Sequence, residues 1–154
     1  MNNIFFYQTG IGEIGIAENK GYITNIFFQN EEIPKNNIIF ETDILKEAAG
    51  QLREYLAGKR REFNLPLAPD GSGFMLKVWQ CLLEIPYGET RSYRDIAQSA
   101  GNKNAARAVG LACNRNPIPI VIPCHRVIGT NGSLTGFGGG LDVKAHLLKL
   151  EKAI

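Results

Sequence analysis

The sequence predicts an α+β protein in two successive parts. Three observations carry that expectation. The first 30 residues hold three short β-rich runs, and the apolar spacing turns helical at Thr42. Beyond the irregular stretch "NLPLAPDGSG", every long apolar segment keeps the helical spacing except one interrupted by prolines.

"NIFFYQT", "GEIGIAE" and "YITNIFFQ" are separated by Gly10, Gly12 and the turn "ENKG", which predicts an antiparallel meander. "NEEIPKNN" reads as a polar loop. Ile44, Leu45, Ala48, Leu52, Tyr55 and Leu56 then line one helical face, with Thr42 placed to cap it and Gly58 to stop it. The two prolines and two glycines of "NLPLAPDGSG" mark the boundary, giving an N-terminal domain over 1–67 and a C-terminal domain over 68–154. In the second part, Phe74, Met75, Val78, Cys81, Leu82 and Ile85 share a helical face that ends at Pro86, so Cys81 is expected to be a core thiol. "SYRDIAQSAG" opens with the capping pair Ser92 and Asp95 and closes on Gly101. A second helical run extends from Asn102 to just before Pro117, and the two together predict a helix-turn-helix. A last helix is built on Leu141, Val143, Leu147, Leu148 and Leu150.

Composition excludes several classes. No stretch approaches the roughly 20 apolar residues of a membrane span, and "MNNIFFYQTG" lacks the basic start of a secretion signal. Cys81, Cys113 and Cys124 are odd in number, show no CxxC spacing, and are joined by only His125 and His146. Neither a disulfide framework nor a zinc site fits, and a reducing, cytoplasmic setting is expected. Charge is divided along the chain: residues 1–70 carry seven Lys/Arg against ten Asp/Glu, residues 71–154 ten against five. The cations gather between Pro86 and Val127, as Arg91, Arg94, Lys103, Arg107, Arg115 and Arg126. That is the footprint of a surface meeting a polyanion, or simply a solvated face.

Two stretches carry chemistry. In the second helix of the pair, Ala105, Ala106, Ala108, Gly110 and Ala112 surround a single long side chain, Arg107. Small residues allow either tight helix packing or close approach to DNA, with the arginine entering the groove or base stack. The other stretch is "NRNPIPIVIPCHRVIG". Pro117, Pro119 and Pro123 disfavour helix, so an extended segment is expected to deliver Cys124. In a strand, Cys124 and His125 would face opposite ways, making a direct pair awkward unless the chain turns or a water intervenes. A buried inert thiol is one reading. Neighbouring His125 and Arg126 favour the other, a thiol whose pKa positive charge lowers.

"IPCHRVIG", preceded by "NPIPIV" and followed by "GGGLDVKAHLLKLE", resembles the active-site signature of the methylated-DNA–protein-cysteine methyltransferases, the O6-alkylguanine-DNA alkyltransferases of direct DNA repair. "YGETRSY" and "AGNKNAARAVG" extend the likeness over nearly all of residues 74–151. It implies a ribonuclease H-like N-terminal α/β domain and a winged-helix-like C-terminal one. It also implies a single-turnover reaction that moves the alkyl group of O6-methylguanine, and of O4-methylthymine, onto Cys124. By position, His125 would be the base acting through a water, Glu151 would orient it, and Asn116 would support the turn and base pocket. Tyr93 would rotate the target phosphate and help extrude the base. Arg107 would replace that base in the stack, with Ala105, Ala106, Arg115 and Arg126 also on the DNA side. Phe137, Gly138 and Val127 would line the substrate pocket. Phe137 and Gly138 stand where family members often carry Tyr and Ser, so one hydroxyl donor to the guanine is lost. The implied partner is double-stranded DNA carrying alkylated guanine, met by a monomer that uses no cofactor, metal or membrane. Three rival readings stand against it: an alkyltransferase-like damage sensor, which would lack the acceptor cysteine, a helix-turn-helix regulator, and a cysteine hydrolase. The last is disfavoured by the strand geometry and by the absence of an evident oxyanion loop.

Overall fold

The computed structural model describes residues 1–154, which divide into two compact units, Met1–Asp70 and Gly71–Ile154. In the first, strands β1 (Asn3–Thr9), β2 (Gly12–Asn19) and β3 (Tyr22–Phe28) form the expected antiparallel meander. A two-residue strand, β4 (Ile38–Ile39), adds in parallel to β1, giving the order β3-β2-β1-β4. Two residues show no period, so nothing in the sequence announced β4. Helix α1 (Asp43–Leu56) lies on this sheet. Its Leu45, Leu52 and Tyr55 are buried in a core with Ile4, Ile14, Ile16 and Ile23. Thr42 does occupy the N-cap, yet its side chain makes no capping bond. Gly58 follows the helix with φ of 75°, a left-handed position that suits glycine.

The second unit is mostly helical. Ser72 caps α2 (Gly73–Leu83) by accepting from Met75 N. Only Val78, Trp79 and Leu82 of α2 are buried, and Cys81 is half-exposed rather than a core thiol. Strand β5 (Arg91–Ser92) leads into α3 (Tyr93–Ser99), where Ser92 and Asp95 form the reciprocal capping box. Helix α4 (Ala106–Asn114) packs on α3 and completes a helix-turn-helix. It starts later than Asn102. The Asn102 side chain accepts from Asn104 N at 3.1 Å, a local turn that competes with helix. Strand β6 (Val127–Ile128) pairs in parallel with β5, and α5 (Leu141–Leu150) closes the unit. No helix is long and apolar enough to cross a membrane.

The segment before Cys124 is not extended. The prolines forbid helix but permit turns, and here Ile122 N donates to Ile118 O at 2.9 Å. Asn116 fastens the turn from within: its Oδ1 accepts from Ile118 N at 3.0 Å and its Nδ2 donates to Ile122 O at 2.8 Å. Ile120 takes φ of 74°, a left-handed conformation that costs a β-branched residue about 1–3 kcal/mol.

Trp79, outside the stripe expected for α2, closes the end of α4: its Nε1 donates to Ala112 O at 2.9 Å, satisfying a carbonyl of the last helical turn. Replacing Trp79 with Phe keeps most of the ring and leaves that buried carbonyl unmet. We expect Trp79→Phe to lower the unfolding free energy by about 1–3 kcal/mol, read from denaturant unfolding followed by far-ultraviolet circular dichroism.

Candidate active site

Cys124, His125 and Arg126 form one 3₁₀ turn, all three buried. Successive side chains leave such a turn about 120° apart, so neighbours in sequence diverge. His125 is carried inward to Glu151, its Nε2 lying 2.7 Å from Oε2. Arg126 goes to the same carboxylate, with Nε 2.8 Å from Oε1 and one terminal nitrogen 3.0 Å from Oε2. Its other terminal nitrogen donates to Ile85 O at 2.7 Å. Gly88 N adds a fourth donor to Glu151 at 3.1 Å. Gly88 has φ of 83°, and a Cβ there would sit 3.1 Å from the Glu151 carbonyl, so glycine is needed on both counts.

These contacts set the tautomer of His125. A carboxylate already accepting from a guanidinium can only accept from the imidazole, so Nε2 carries the hydrogen and Nδ1 is the proton acceptor. Burial lowers the His125 pKa below the usual 6.5, with the Glu151 bond pulling the other way. The ring is therefore neutral at neutral pH.

Burial acts oppositely on Cys124, which is 6% exposed. Loss of solvent pushes its thiol up to about 11, against the pull of a hydrogen bond from Asn116 and the charge of Lys144. The expectation that adjacent cations depress this thiol is thus reversed. One of those cations, Arg126, is spent on Glu151 and Ile85, and the other, His125, is neutral.

Lys144 is the site residue that the sequence hid. It lies in the amphipathic stretch "LDVKAHLL", yet it is 0% exposed. Its Nζ donates to Val127 O and to Thr135 O, each at 2.7 Å, and lies 6.0 Å from the centre of the Tyr93 ring. Burial lowers its pKa, and the Cys124 and Cys113 thiols counter that. A lysine amid apolar neighbours in a helix ordinarily reads as a solvated position, so no sequence signal marked it.

A cavity of about 360 Å³ opens between α3, α4 and the loop after β6. Tyr93, Ala106, Arg107, Gly110, Asn114 and Thr135 line it. Tyr93 is half-buried; loss of solvent raises its phenol pKa, and its hydroxyl meets Thr135 Oγ1 at 2.7 Å. Arg107 and Arg115 are exposed, Ala105 and Ala106 partly so. The structure therefore gathers Cys124, His125, Glu151 and Asn116 around one turn, and brings Tyr93, Ala106 and Arg107 to one cavity. It does not put Arg126 on the cationic face: at 7% exposure, with its donors turned inward, it meets no polyanion. Val127 is 0% exposed, and Thr135 and Gly136, directly before Phe137 and Gly138 in the chain, line the loop side of this cavity.

Comparison with known proteins places this arrangement. Residues 73–153 match the family model described as 6-O-methylguanine DNA methyltransferase, DNA binding domain, and residues 5–69 its ribonuclease-like domain. The chain belongs to the 6-O-methylguanine DNA methyltransferase family. It is 50% identical over 149 residues to the methylated-DNA–protein-cysteine methyltransferase of Methanosarcina barkeri, covering 94% of each chain. Identity to the constitutive methylated-DNA–protein-cysteine methyltransferase of Bacillus subtilis is 48% over 159 residues, covering 99% of this chain and 96% of that one. Among solved structures, Mycobacterium tuberculosis OGT in complex with DNA superposes with a TM-score of 0.93 at 43% identity, covering 97% of this chain and 92% of that one. Family membership bears out the α+β architecture, with a ribonuclease-like first domain and a helical DNA-binding second domain.

The shared carboxylate yields a stability prediction for this family member. Glu151→Ala strands a buried guanidinium, which costs about 3–5 kcal/mol. Urea unfolding should show a loss of that size. A loss below about 1 kcal/mol, the worth of a surface pair, would mean the pairing is exposed in solution.

Proposed function

We propose that this protein repairs alkylated DNA by direct reversal, moving the methyl group of O6-methylguanine onto its own Cys124. The observation that carries the reading is the Cys124 turn, backed by His125 on a carboxylate shared with Arg126, in a unit that also holds a helix-turn-helix. The second unit, Gly71–Ile154, is the DNA-binding and alkyl-acceptor domain, and Met1–Asp70 the N-terminal α/β domain. Duplex DNA meets α4, where Ala105 and Ala106 let the backbone approach and Arg115 contacts phosphate. Chemistry on a paired base requires extruding it, at a cost of a few kcal/mol of stacking and pairing. Arg107 fills the vacated place in the stack, and Tyr93 turns the target phosphate.

Sγ of Cys124 then attacks the methyl carbon while the bond from that carbon to O6 breaks. A thiol held near 11 is not a thiolate at rest, so its proton leaves as the attack proceeds. It passes through a solvent molecule to Nδ1 of His125, whose Nε2–H bond to Glu151 steadies the imidazolium. Asn116 holds the turn and stabilises the developing negative sulfur. The departing guanine takes a proton from Tyr93, whose raised pKa keeps the phenol protonated until needed. The product is a thioether. Thiol exchange opens disulfides, not thioethers, so neither Cys113 nor a cellular thiol resets the protein and each chain acts once. Three free cysteines suit a reducing cytoplasm.

Incubation with excess duplex carrying O6-methylguanine should add one methyl group per chain, found by mass spectrometry on the peptide containing Cys124. Cys124→Ala should acquire none. Continued turnover, or a methyl group on another residue, would overturn the mechanism.

A further inference from the structure

Only two side-chain hydroxyls line the cavity, those of Tyr93 and Thr135, and they are bonded to each other at 2.7 Å. Thr135 is held from behind: its carbonyl accepts from Lys144 Nζ, which also holds the carbonyl of Val127, one residue beyond the Cys124 turn. A second tie runs in parallel. Tyr93 directly follows β5, and β5 pairs with β6 through Arg91 with Val127 and Ser92 with Ile128. The phenol is thus registered to the Cys124 turn twice, once by strand pairing and once through Thr135 and Lys144. Thr135 is an exposed residue, so its hydroxyl joins the half-buried phenol to the solvent. No other hydroxyl in the cavity wall can do this.

The geometry points to Thr135 as a positioning residue for the transfer reaction, one that aims the Tyr93 phenol at the departing purine and returns its proton from solvent. The inference rests on the function proposed above. As the sulfur–methyl bond forms and the O6–methyl bond breaks, the electron pair passes into the purine, which needs one proton to leave as guanine. Tyr93 supplies it to a ring nitrogen. The phenolate regains a proton from Thr135 Oγ1, which recovers one from solvent. The proton taken by His125 returns to solvent, so a thiol and an alkylated guanine become a thioether and guanine with no net gain or loss. General acids contribute about 10²–10⁴-fold when well aimed, and misdirecting one forfeits part of that.

The test is single-turnover methyl transfer from an O6-methylguanine duplex, with Cys124 labelling by iodomethane alongside. Iodide leaves without a proton, so that reaction senses the thiol and its surroundings but not the Tyr93 relay. Thr135→Val should slow transfer from DNA about tenfold at unchanged duplex affinity, while iodomethane labelling stays at the parent rate. Thr135→Ser, which keeps the hydroxyl, should recover to within about twofold of the parent. Tyr93→Phe combined with Thr135→Val should be no slower than Tyr93→Phe alone, because the two act as one unit. Parent-like transfer by Thr135→Val, losses that multiply in the double variant, or a parallel fall in iodomethane labelling would overturn the role. A parent protein that acquires no methyl group on Cys124 would overturn the proposed function and this role together. A methylated parent with unaffected variants would overturn Thr135 alone.

Discussion

Burial of the Glu151 carboxylate is the constraint on which the rest of the site depends. A carboxylate at the C-terminal end of a helix, away from solvent, is unfavourable on two counts: the helix dipole repels it and desolvation penalises it. Glu151 occupies that end of α5, so it must be compensated. Arg126, His125 and the Gly88 amide do so together, and two of the three come from the single turn that carries Cys124. The thiol's position is therefore a consequence of solving an electrostatic problem in the interior. Removing either Arg126 or Glu151 leaves the other charge buried and unpaired.

The same economy places the loop after β6. A fully buried lysine is costly unless its ammonium is satisfied, and Lys144 meets its need with two backbone carbonyls, one of Val127 in β6 and one of Thr135 within that loop. Its charge also partly offsets the effect of burial on Cys124. Burial keeps the resting thiol protonated and shielded from solvent, while His125, Asn116 and Lys144 favour loss of that proton once an alkyl group is presented. The strained Ile120 belongs to the same design: a compact turn stapled by Asn116 delivers Cys124 where an extended segment would not.

Much of this was legible in the sequence, where a period or a cap carried it. The meander followed from β-rich runs broken by glycine, α1 from its apolar stripe, and α3 from Ser92 and Asp95. Cys124 and His125 stand out in "PCHRV" itself, whereas Asn116 in "RNPIP" and Glu151 in "LKLE" are reached only through the family resemblance. What could not be read depended on contacts distant in sequence. Arg126 looks like a DNA-facing cation until Glu151 is brought beside it, and Lys144 looks solvent-exposed until two carbonyls close over it. Thr135 carries no signal at all; only its meeting with Tyr93 distinguishes it. Charge near a thiol misleads for a related reason, because adjacency in sequence says nothing of how much solvent has been removed.

The central claim is that a neutral His125, set by Glu151, takes the Cys124 proton during attack rather than a thiolate standing ready. The pH dependence of single-turnover methyl transfer from an O6-methylguanine duplex tests it directly. If His125 is the base, with a pKa held below the ordinary 6.5, the rate should fall only in acid below that value. It should then stay level from about pH 7 to about pH 9, since the base is already neutral and the thiol still protonated. A rate climbing about tenfold per pH unit across that interval would show that the thiol must first ionise to solvent, and would contradict the claim.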